Sequence, residues 1–146
     1  MPDDLSLLDA NILVYALFVD SEYYDRCRTL LAKGSDPKCG FCVTSQVLAE
    51  FFSVVTNPKR VSAAKAPHEA LAAIEAILAM PGICLLPVPA DVPKRWIELL
   101  RMRPVSGGRI FDLQLAATML ANQVNRIYTF NCSDFASVVG ITALMP

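Results

Sequence analysis

Four acidic residues of this 146-residue chain lie where they could do chemistry together. Asp9 and Asp134 each follow a short apolar run, whereas Glu50 and Asp112 are embedded within apolar runs. Because an unpaired charge is costly to bury, acids in such surroundings need a reason. One reason is structural, since acids cap helices, complement the helix dipole and form ordinary salt bridges. The other reason is a shared functional site.

A shared site of four carboxylates would favour a hard cation. Two like charges about 4 Å apart repel by roughly 4 kcal/mol at an effective dielectric constant of about 20. Four of them together would raise their own pKa values or require a cation. Oxygen ligands without a neighbouring Cys or His suit Mg²⁺ or Mn²⁺, ions that activate water and stabilise a phosphoryl transition state. The acids therefore predict a metal site of the kind that phosphodiester hydrolysis needs.

The elements that must position these acids alternate between strands and helices. Apolar runs predict strands at 5–8, 41–44, 83–86, 126–130 and 141–144. Periodicity and stop signals predict helices at 12–18, 21–33, 46–55 (with Ser45 as its N-cap), 67–80, 92–102, 111–122 and 134–137. Alternating elements with wholly apolar strands indicate a parallel sheet covered on both faces. We predict one α/β domain over 1–146, a three-layer α/β/α sandwich with a mostly parallel central sheet.

This fold would bring the distant acids to one edge. Helices run antiparallel to the strands, so helix N-termini gather at the carboxyl edge of the sheet, where ligands bind. Asp9 ends the first strand and Asp134 lies just past the fourth. Glu50 lies about one turn inside its helix, and Asp112 lies in the first turn of another. We expect all four carboxylates at this edge.

The composition has an unusual apolar excess. Hydrophobic residues make up 54% of the chain and charged residues 18%, with a mean hydropathy of +0.42. These values exclude a disordered chain. The most hydrophobic run, 12–19, is far shorter than the ~20 residues of a membrane span. We expect the excess to be buried in the covered sheet and in a subunit interface.

The charges at the N-terminus and the number of cysteines in the chain indicate the cellular compartment. Asp3 and Asp4 occupy the positions where an export signal would carry Lys or Arg. The five cysteines are odd in number, which favours reduced thiols. Cys39 and Cys42 have CxxC spacing but open an apolar run, so we expect structural thiols. The expected compartment is the cytoplasm, with no membrane association.

Basic residues are concentrated in one segment. The net charge is −1, yet residues 94–109 hold five basic residues against one acid. This segment is either a surface that contacts phosphates or the solvated face of a helix. The candidate phosphate ligands are Arg95, Arg101, Arg103 and Arg109. Trp96 could stack a base but is expected in the core or an interface.

The acids lie in four motifs that occur in a familiar order. An Asp-x-Asn opens at 9–11, and the second acid lies in 46–51, followed by Thr-Asn-Pro at 56–58. The third acid lies in 111–117, and the fourth closes a Thr-x-Asn-x-x-Asp-Phe at 129–135. These motifs, which span nearly the whole chain, resemble the PIN-domain family, in particular the VapC-type toxins of bacterial toxin–antitoxin pairs. The chain departs from the family pattern at Leu113 and Gln114, and at Gln123, where a glycine is common.

The resemblance implies a metal-dependent endoribonuclease that acts as the toxin of a type II toxin–antitoxin system. Mg²⁺ or Mn²⁺ would be held by Asp9, Glu50, Asp112 and Asp134, and metal-activated water would cleave RNA. Asn11 would orient Asp9 or the metal-bound water, Asn131 would support the site, and Ser45 could hydrogen-bond there. Arg109 could bind an RNA phosphate or pair with Asp112. The implied partners are the RNA substrate, a second copy in a homodimer, and a cognate antitoxin whose basic tail enters the acidic pocket.

Three other interpretations remain open at this point. A PIN-domain nuclease could act in RNA processing outside a toxin–antitoxin pair. A non-enzymatic receiver-like module also has an acidic pocket, but it would want an acid pair after the first strand and an Asp at the end of the third. A phosphatase of the haloacid-dehalogenase kind needs Asp-x-Asp after the first strand, where this chain has Asn11 in place of the second Asp.

Overall fold

The computed structural model describes residues 4–146, so Asp3 lies outside the described residues. Within 4–146, five short strands form one sheet: β1 (Ser6–Leu8), β2 (Phe41–Val43), β3 (Ile83–Leu85), β4 (Arg126–Tyr128) and β5 (Thr142–Leu144). Their order is β3-β2-β1-β4-β5, and every neighbouring pair is parallel. The predicted parallel sheet is confirmed, and all of these strands, rather than most of them, run the same way.

Helices surround this sheet. Across the same residues they are α1 (Ala10–Tyr15), α2 (Tyr24–Ala32), α3 (Ser45–Val55), α4 (Pro67–Leu78), α5 (Val92–Met102), α6 (Arg109–Ala121) and α7 (Cys132–Ala136). Helix α1 packs against α2 and α3, whereas α5 packs against α6. Every residue of β1 and β2 is buried, as expected for strands covered on both faces. The α/β architecture predicted from the sequence is therefore present.

The strand order changes direction at one point. From β1 the chain adds β2 and then β3 on one side, and later places β4 and β5 on the other. The switch point lies between β1 and β4, where Leu8 is registered with Tyr128. In open α/β sheets, ligands bind in the crevice outside the carboxyl ends of the strands at such a point. Residues that directly follow Leu8 and Tyr128 are thus placed where the fold favours a site.

Two predicted helix starts are wrong for reasons of capping. Helix α1 begins at Ala10 rather than at 12, because the Asp9 side chain accepts a hydrogen bond from the Ala10 N–H. This helix also ends at Tyr15, earlier than the predicted 18. The N-cap of α3 is Thr44, whose side chain accepts a hydrogen bond from the Val47 N–H at 3.1 Å. Ser45 is therefore the first residue of α3 and not its N-cap.

The start of α6 also differs from the sequence prediction. This helix begins at Arg109 rather than at 111. The connection before it turns at Gly107, which has a φ of 64°, a conformation that favours glycine. Because the turn is complete by Gly108, Arg109 lies in the same helical turn as Asp112. The boundaries of α5, in contrast, agree with the prediction residue for residue.

Two further properties concern the membrane and the thiols. No helix within residues 4–146 is both long enough and apolar enough to cross a bilayer. All five cysteines are free thiols. Burial raises the pKa of Cys42 to about 12, so this thiol stays protonated and unreactive at neutral pH.

Candidate metal centre

Asp9 is fixed at the switch point by hydrogen bonds to both of its carboxylate oxygens. It follows β1 directly and is only 4% exposed. Its Oδ1 accepts from the Ala10 N–H at 2.7 Å, and its Oδ2 accepts from the Thr129 hydroxyl, also at 2.7 Å. Burial raises the pKa of Asp9, whereas these two hydrogen bonds lower it. The side chain is therefore rigidly held while its negative charge remains under-compensated.

Thr129 is the site residue that sequence reasoning missed. It directly follows β4 and is fully buried. Its Oγ1 donates to Asp9 and accepts from the Asn131 N–H at 2.9 Å. A buried hydroxyl needs hydrogen-bond partners, and here it joins the first acidic motif to the fourth. The available signal was its place as the opening residue of the Thr-x-Asn-x-x-Asp-Phe motif.

The predicted supporting residues contribute unequally. The Asn11 amide donates to Asp9 Oδ2 at 3.5 Å, the outer limit of a hydrogen bond, and its Oδ1 accepts from the Phe130 N–H at 3.4 Å. Asn131 is exposed and contacts the site through its backbone N–H rather than its side chain. Ser45 is exposed, and its hydroxyl has no hydrogen bond within residues 4–146.

Glu50 and Asp112 are both repelled by the charge of Asp9. Partial desolvation, followed by repulsion from Asp9 and Asp112, raises the pKa of Glu50, although Glu50 is an exposed residue. Partial burial, with repulsion from Asp9 and Asp134, raises the pKa of Asp112 to about 6. Two of the four carboxylates, Glu50 and Asp112, are therefore repelled by other acids of the site. The structure brings all four to the carboxyl edge of the sheet.

This donor set fits a hard divalent cation. The donors are all carboxylate oxygens. Desolvation raises the pKa values of Asp9, Glu50 and Asp112, and repulsion between acids adds to the rise at Glu50 and Asp112. Among the described residues, no three acidic, Cys or His side chains are already close enough to hold an ion together. Cation binding therefore requires side-chain rotation. Glu50, Asp112 and Asp134, which are not buried, are the residues with room for it, whereas Asp9 is buried.

Arg109 pairs with the fourth acid rather than with the third. Its Nη2 lies 3.4 Å from Asp134 Oδ1, with side-chain exposures of 65% for Arg109 and 37% for Asp134. The two line a cleft of about 20 Å³ together with Arg103 and Asp112. Arg109 also lowers the pKa of Asp112, which shows that its charge reaches both acids.

The other predicted phosphate ligands lie outside this cleft. Arg95 is held in an exposed ion pair with Asp91, at 2.7 Å one helical turn away. Arg101 is exposed on α5. Of the four candidate arginines, only Arg103 and Arg109 line the cleft with the acids.

Two hydrogen bonds brace the end of α6 that carries Asp112. The Trp96 indole N–H donates to the Ile110 carbonyl at 3.0 Å, which ties α5 to α6. The Gln46 amide donates to the Phe111 carbonyl at 2.8 Å, which ties α3 to α6. Trp96 is partly buried against the core, so its role is structural. Sequence reasoning did not single out Gln46.

A parallel sheet of this order, with carboxylates gathered at its switch point, defines the class of protein. The PIN domain model matches residues 6–140, and the chain therefore belongs to the PIN-domain family. Its curated relatives include Ribonuclease VapC43 of Mycobacterium tuberculosis and VapC ribonuclease Mb2897 of Mycobacterium bovis. Each is 30% identical to this chain over 118 residues, which cover 79% of this chain and 78% of the relative.

Solved structures share the fold across almost the whole chain. VapC20 of Mycobacterium tuberculosis, described as a Sarcin-Ricin loop cleaving toxin, superposes with a TM-score of 0.68 at 19% identity, covering 96% of this chain and 98% of that one. VapBC2 of Rickettsia felis, bound to a DNA fragment from its promoter, gives 0.66 at 22% identity, covering 97% and 98%. At these identities the structures show a common fold. Membership of this family argues against the receiver-like and phosphatase interpretations.

Proposed function

We propose that this chain is an endoribonuclease and the toxin of a type II toxin–antitoxin pair. The observation that carries the proposal is the set of four carboxylates at the switch point, with raised pKa values at Asp9, Glu50 and Asp112. A protein keeps charges in such a costly arrangement when they perform a function. The 30% identity to curated VapC ribonucleases over most of both chains supports ribonuclease activity.

Asp9, Glu50, Asp112 and Asp134 would hold one or two Mg²⁺ or Mn²⁺ ions. When bound, such an ion lowers the pKa of water and offsets the negative charge of a phosphoryl transition state. The role of the chain is to present the carboxylates. Thr129 and the Ala10 N–H fix the orientation of Asp9, and the braced first turn of α6 fixes the position of Asp112.

The side chains at the mouth of the cleft beside the acids suit a phosphodiester. Arg103 and Arg109 line the cleft and are both exposed, so an incoming phosphate can reach Arg103 directly, and Arg109 once its ion pair with Asp134 opens. Arginine binds phosphate oxygens through paired N–H donors, which positions the scissile group as well as attracting it. We assign the RNA backbone to this cleft, next to Asp112 and Asp134.

The proposed protein partners are an antitoxin and a second copy of the chain. The related structures from Rickettsia felis and Haemophilus influenzae are VapBC complexes, which supports an antitoxin whose basic tail enters the acidic site. A homodimer is supported by apolar side chains that α5 leaves exposed, with Met102 at 73% and Ile97 at 46%. Both partners would cover surface that the isolated chain leaves open.

Induced expression in a bacterial host tests this function. Wild-type protein should arrest growth and create new RNA ends at a small number of sites, detectable by sequencing of RNA ends. The Asp9→Asn variant, produced at the same level, should do neither, and co-expression of the cognate antitoxin should restore growth to cells that express the wild type. Identical RNA ends in cells that express wild type and Asp9→Asn would contradict the proposal.

A further inference from the structure

Arg109 occupies a position that a metal ion would contest. It forms the ion pair with Asp134 and lines the same cleft as Asp112. One of the four carboxylates is therefore partly neutralised by a side chain of the same protein, beside a second one. An arginine and a divalent cation that share the same carboxylates cannot both be at their closest approach, because like charges repel.

The ion pair between Arg109 and Asp134 can be broken with little loss of free energy. Its 3.4 Å separation exceeds the roughly 2.7–2.9 Å of a strong charge-assisted hydrogen bond. Both side chains are substantially exposed, and exposed ion pairs contribute little to stability. Arg109 also belongs to the first turn of α6, so its long side chain can swing without displacing the helix.

A released Arg109 would remain at the cleft. The cleft is lined by Arg103, Asp112 and Asp134 together with Arg109. Once its donors leave Asp134, they face solvent at the place to which we assign the RNA backbone. The same side chain can therefore pair with Asp134 before a cation binds and with a substrate phosphate afterwards.

We propose that Arg109 is a displaceable internal counterion. Before a cation binds, it pairs with Asp134 beside Asp112; when a divalent cation binds these acids, Arg109 is released and its N–H donors bind an RNA phosphate. The inference rests on the proposed ribonuclease function. It adds an order of binding, since cation binding frees Arg109 to bind RNA. It predicts that Arg109 weakens cation binding, and that it strengthens RNA binding only after the cation has bound.

Mn²⁺ binding to the purified full chain tests the first half. Isothermal calorimetry should show that Arg109→Gln binds Mn²⁺ roughly fivefold more tightly than wild type, because a repelling charge and a competing ion pair are removed. Lys94→Gln is the matched control, since it removes one positive charge from the exposed face of α5 without touching an acid of the site. Screening over about 8 Å should keep the effect of that control below about twofold.

RNA binding tests the second half. In EDTA, fluorescence anisotropy with a short single-stranded RNA should show that Arg109→Gln loses no more affinity than Lys94→Gln, because Arg109 is engaged with Asp134. At saturating Mn²⁺, Arg109→Gln should raise KM by about tenfold, with a smaller change in kcat, because a phosphate contact is lost. The Lys94→Gln control should leave both KM and kcat near the wild-type values.

The outcomes separate this inference from the function on which it rests. If wild type cleaves RNA and binds Mn²⁺, but Arg109→Gln and Lys94→Gln have equal Mn²⁺ affinities, the counterion role is overturned and the ribonuclease function stands. An equal loss of RNA affinity by Arg109→Gln in EDTA and in Mn²⁺ also overturns it. If wild type neither binds Mn²⁺ nor cleaves RNA, the proposed function fails and the inference fails with it.

Discussion

A single buried hydroxyl determines how the central carboxylate is held. Thr129 donates to Asp9 Oδ2 at 2.7 Å and lowers its pKa against the effect of burial. Thr129→Val keeps the shape of the side chain but removes this donor, so the pKa of Asp9 rises further. We expect kcat/KM for RNA to fall about tenfold and the free energy of unfolding to fall by about 1–2 kcal/mol.

The pH profile checks this prediction. A higher Asp9 pKa leaves less of the carboxylate ionised at a given pH, so the acid limb of kcat/KM should move to higher pH in Thr129→Val. Thr129→Ser keeps the hydroxyl and should retain the wild-type limb. Superimposable profiles for wild type and Thr129→Val would show that the hydroxyl does not tune Asp9.

Asp112 makes stability depend on pH in an unusual direction. Its pKa is raised from 3.8 to about 6, so the folded state binds a proton more tightly than the unfolded state. The resulting destabilisation is fully present above pH 6 and disappears as the pH falls towards 3.8. Without added metal, Asp112→Asn should raise the free energy of unfolding at pH 8 by about 1 kcal/mol, a value discounted for solvent screening.

Urea denaturation at several pH values measures this effect. The gain from Asp112→Asn should shrink as the pH falls from 8 towards 4, although the variant should be inactive on RNA throughout. Asp20→Asn changes an exposed acid outside the site and should give no pH-dependent gain. A pH-independent effect of Asp112→Asn would mean that repulsion among the acids is not its cause.

At the scale of elements, the hydrogen bonds that Gln46 and Trp96 donate to the first turn of α6 link helix packing to the site. Gln46 on α3 donates to the carbonyl of Phe111, the residue before Asp112. Gln46→Ala removes this bond and lets the first turn of α6 move, which should lower kcat/KM about fivefold, in line with the ~1 kcal/mol of a typical hydrogen bond. Gln114→Ala, on the same helix as Asp112, should have a much smaller effect. Equal activities of the two variants would contradict the bracing role.

The end of α6 contains a correctable strain. Gln123 has a φ of 58° within a Schellman motif, in which its N–H bonds to the Leu120 carbonyl and the Val124 N–H bonds to the Met119 carbonyl. This conformation is unfavourable for a residue with a Cβ. Gln123→Gly should therefore raise the free energy of unfolding by about 0.5–1 kcal/mol in chemical denaturation. Gln123→Ala keeps the Cβ and should give no such gain; a loss in Gln123→Gly would refute this view.

Local sequence signals predicted the elements better than their ends. Helix α5 was predicted to the residue, because Pro87 and Pro89 precede it and its amphipathic pattern is continuous. The starts of α1 and α3 were misplaced because the choice of cap depends on backbone geometry. Ser45 was predicted as the cap of α3 and Thr44 as the end of a strand, whereas in the folded chain Thr44 is the cap.

The acids could be predicted from the sequence, but their hydrogen-bond partners could not. Each acid lies within a motif that has a recognisable local pattern. The bond from Thr129 to Asp9 joins residues 120 positions apart, and the bond from Gln46 to Phe111 joins residues 65 apart. Such pairings are consequences of strand order and helix packing, which no single segment of sequence encodes.

At the scale of the whole molecule, the strand order creates the site. Placing β4 beside β1 brings Thr129 next to Asp9 and delivers α7, with Asp134, to the same edge. Much of the apolar excess is buried in one core to which both the strands and the helices contribute. What remains is a few charges concentrated at one edge, which is why a chain with a net charge of only −1 can carry a strongly acidic site.

Cleavage of RNA as a function of Mn²⁺ is the measurement that tests this account most directly. Metal-free wild-type protein should be inactive in EDTA and recover activity as Mn²⁺ is added, with Asp20→Asn behaving in the same way. Asp9→Asn should retain the wild-type circular dichroism spectrum and lose activity by about 100-fold or more at every Mn²⁺ concentration. Undiminished cleavage in EDTA, or by Asp9→Asn, would contradict a site in which gathered carboxylates hold the ion that cleaves RNA.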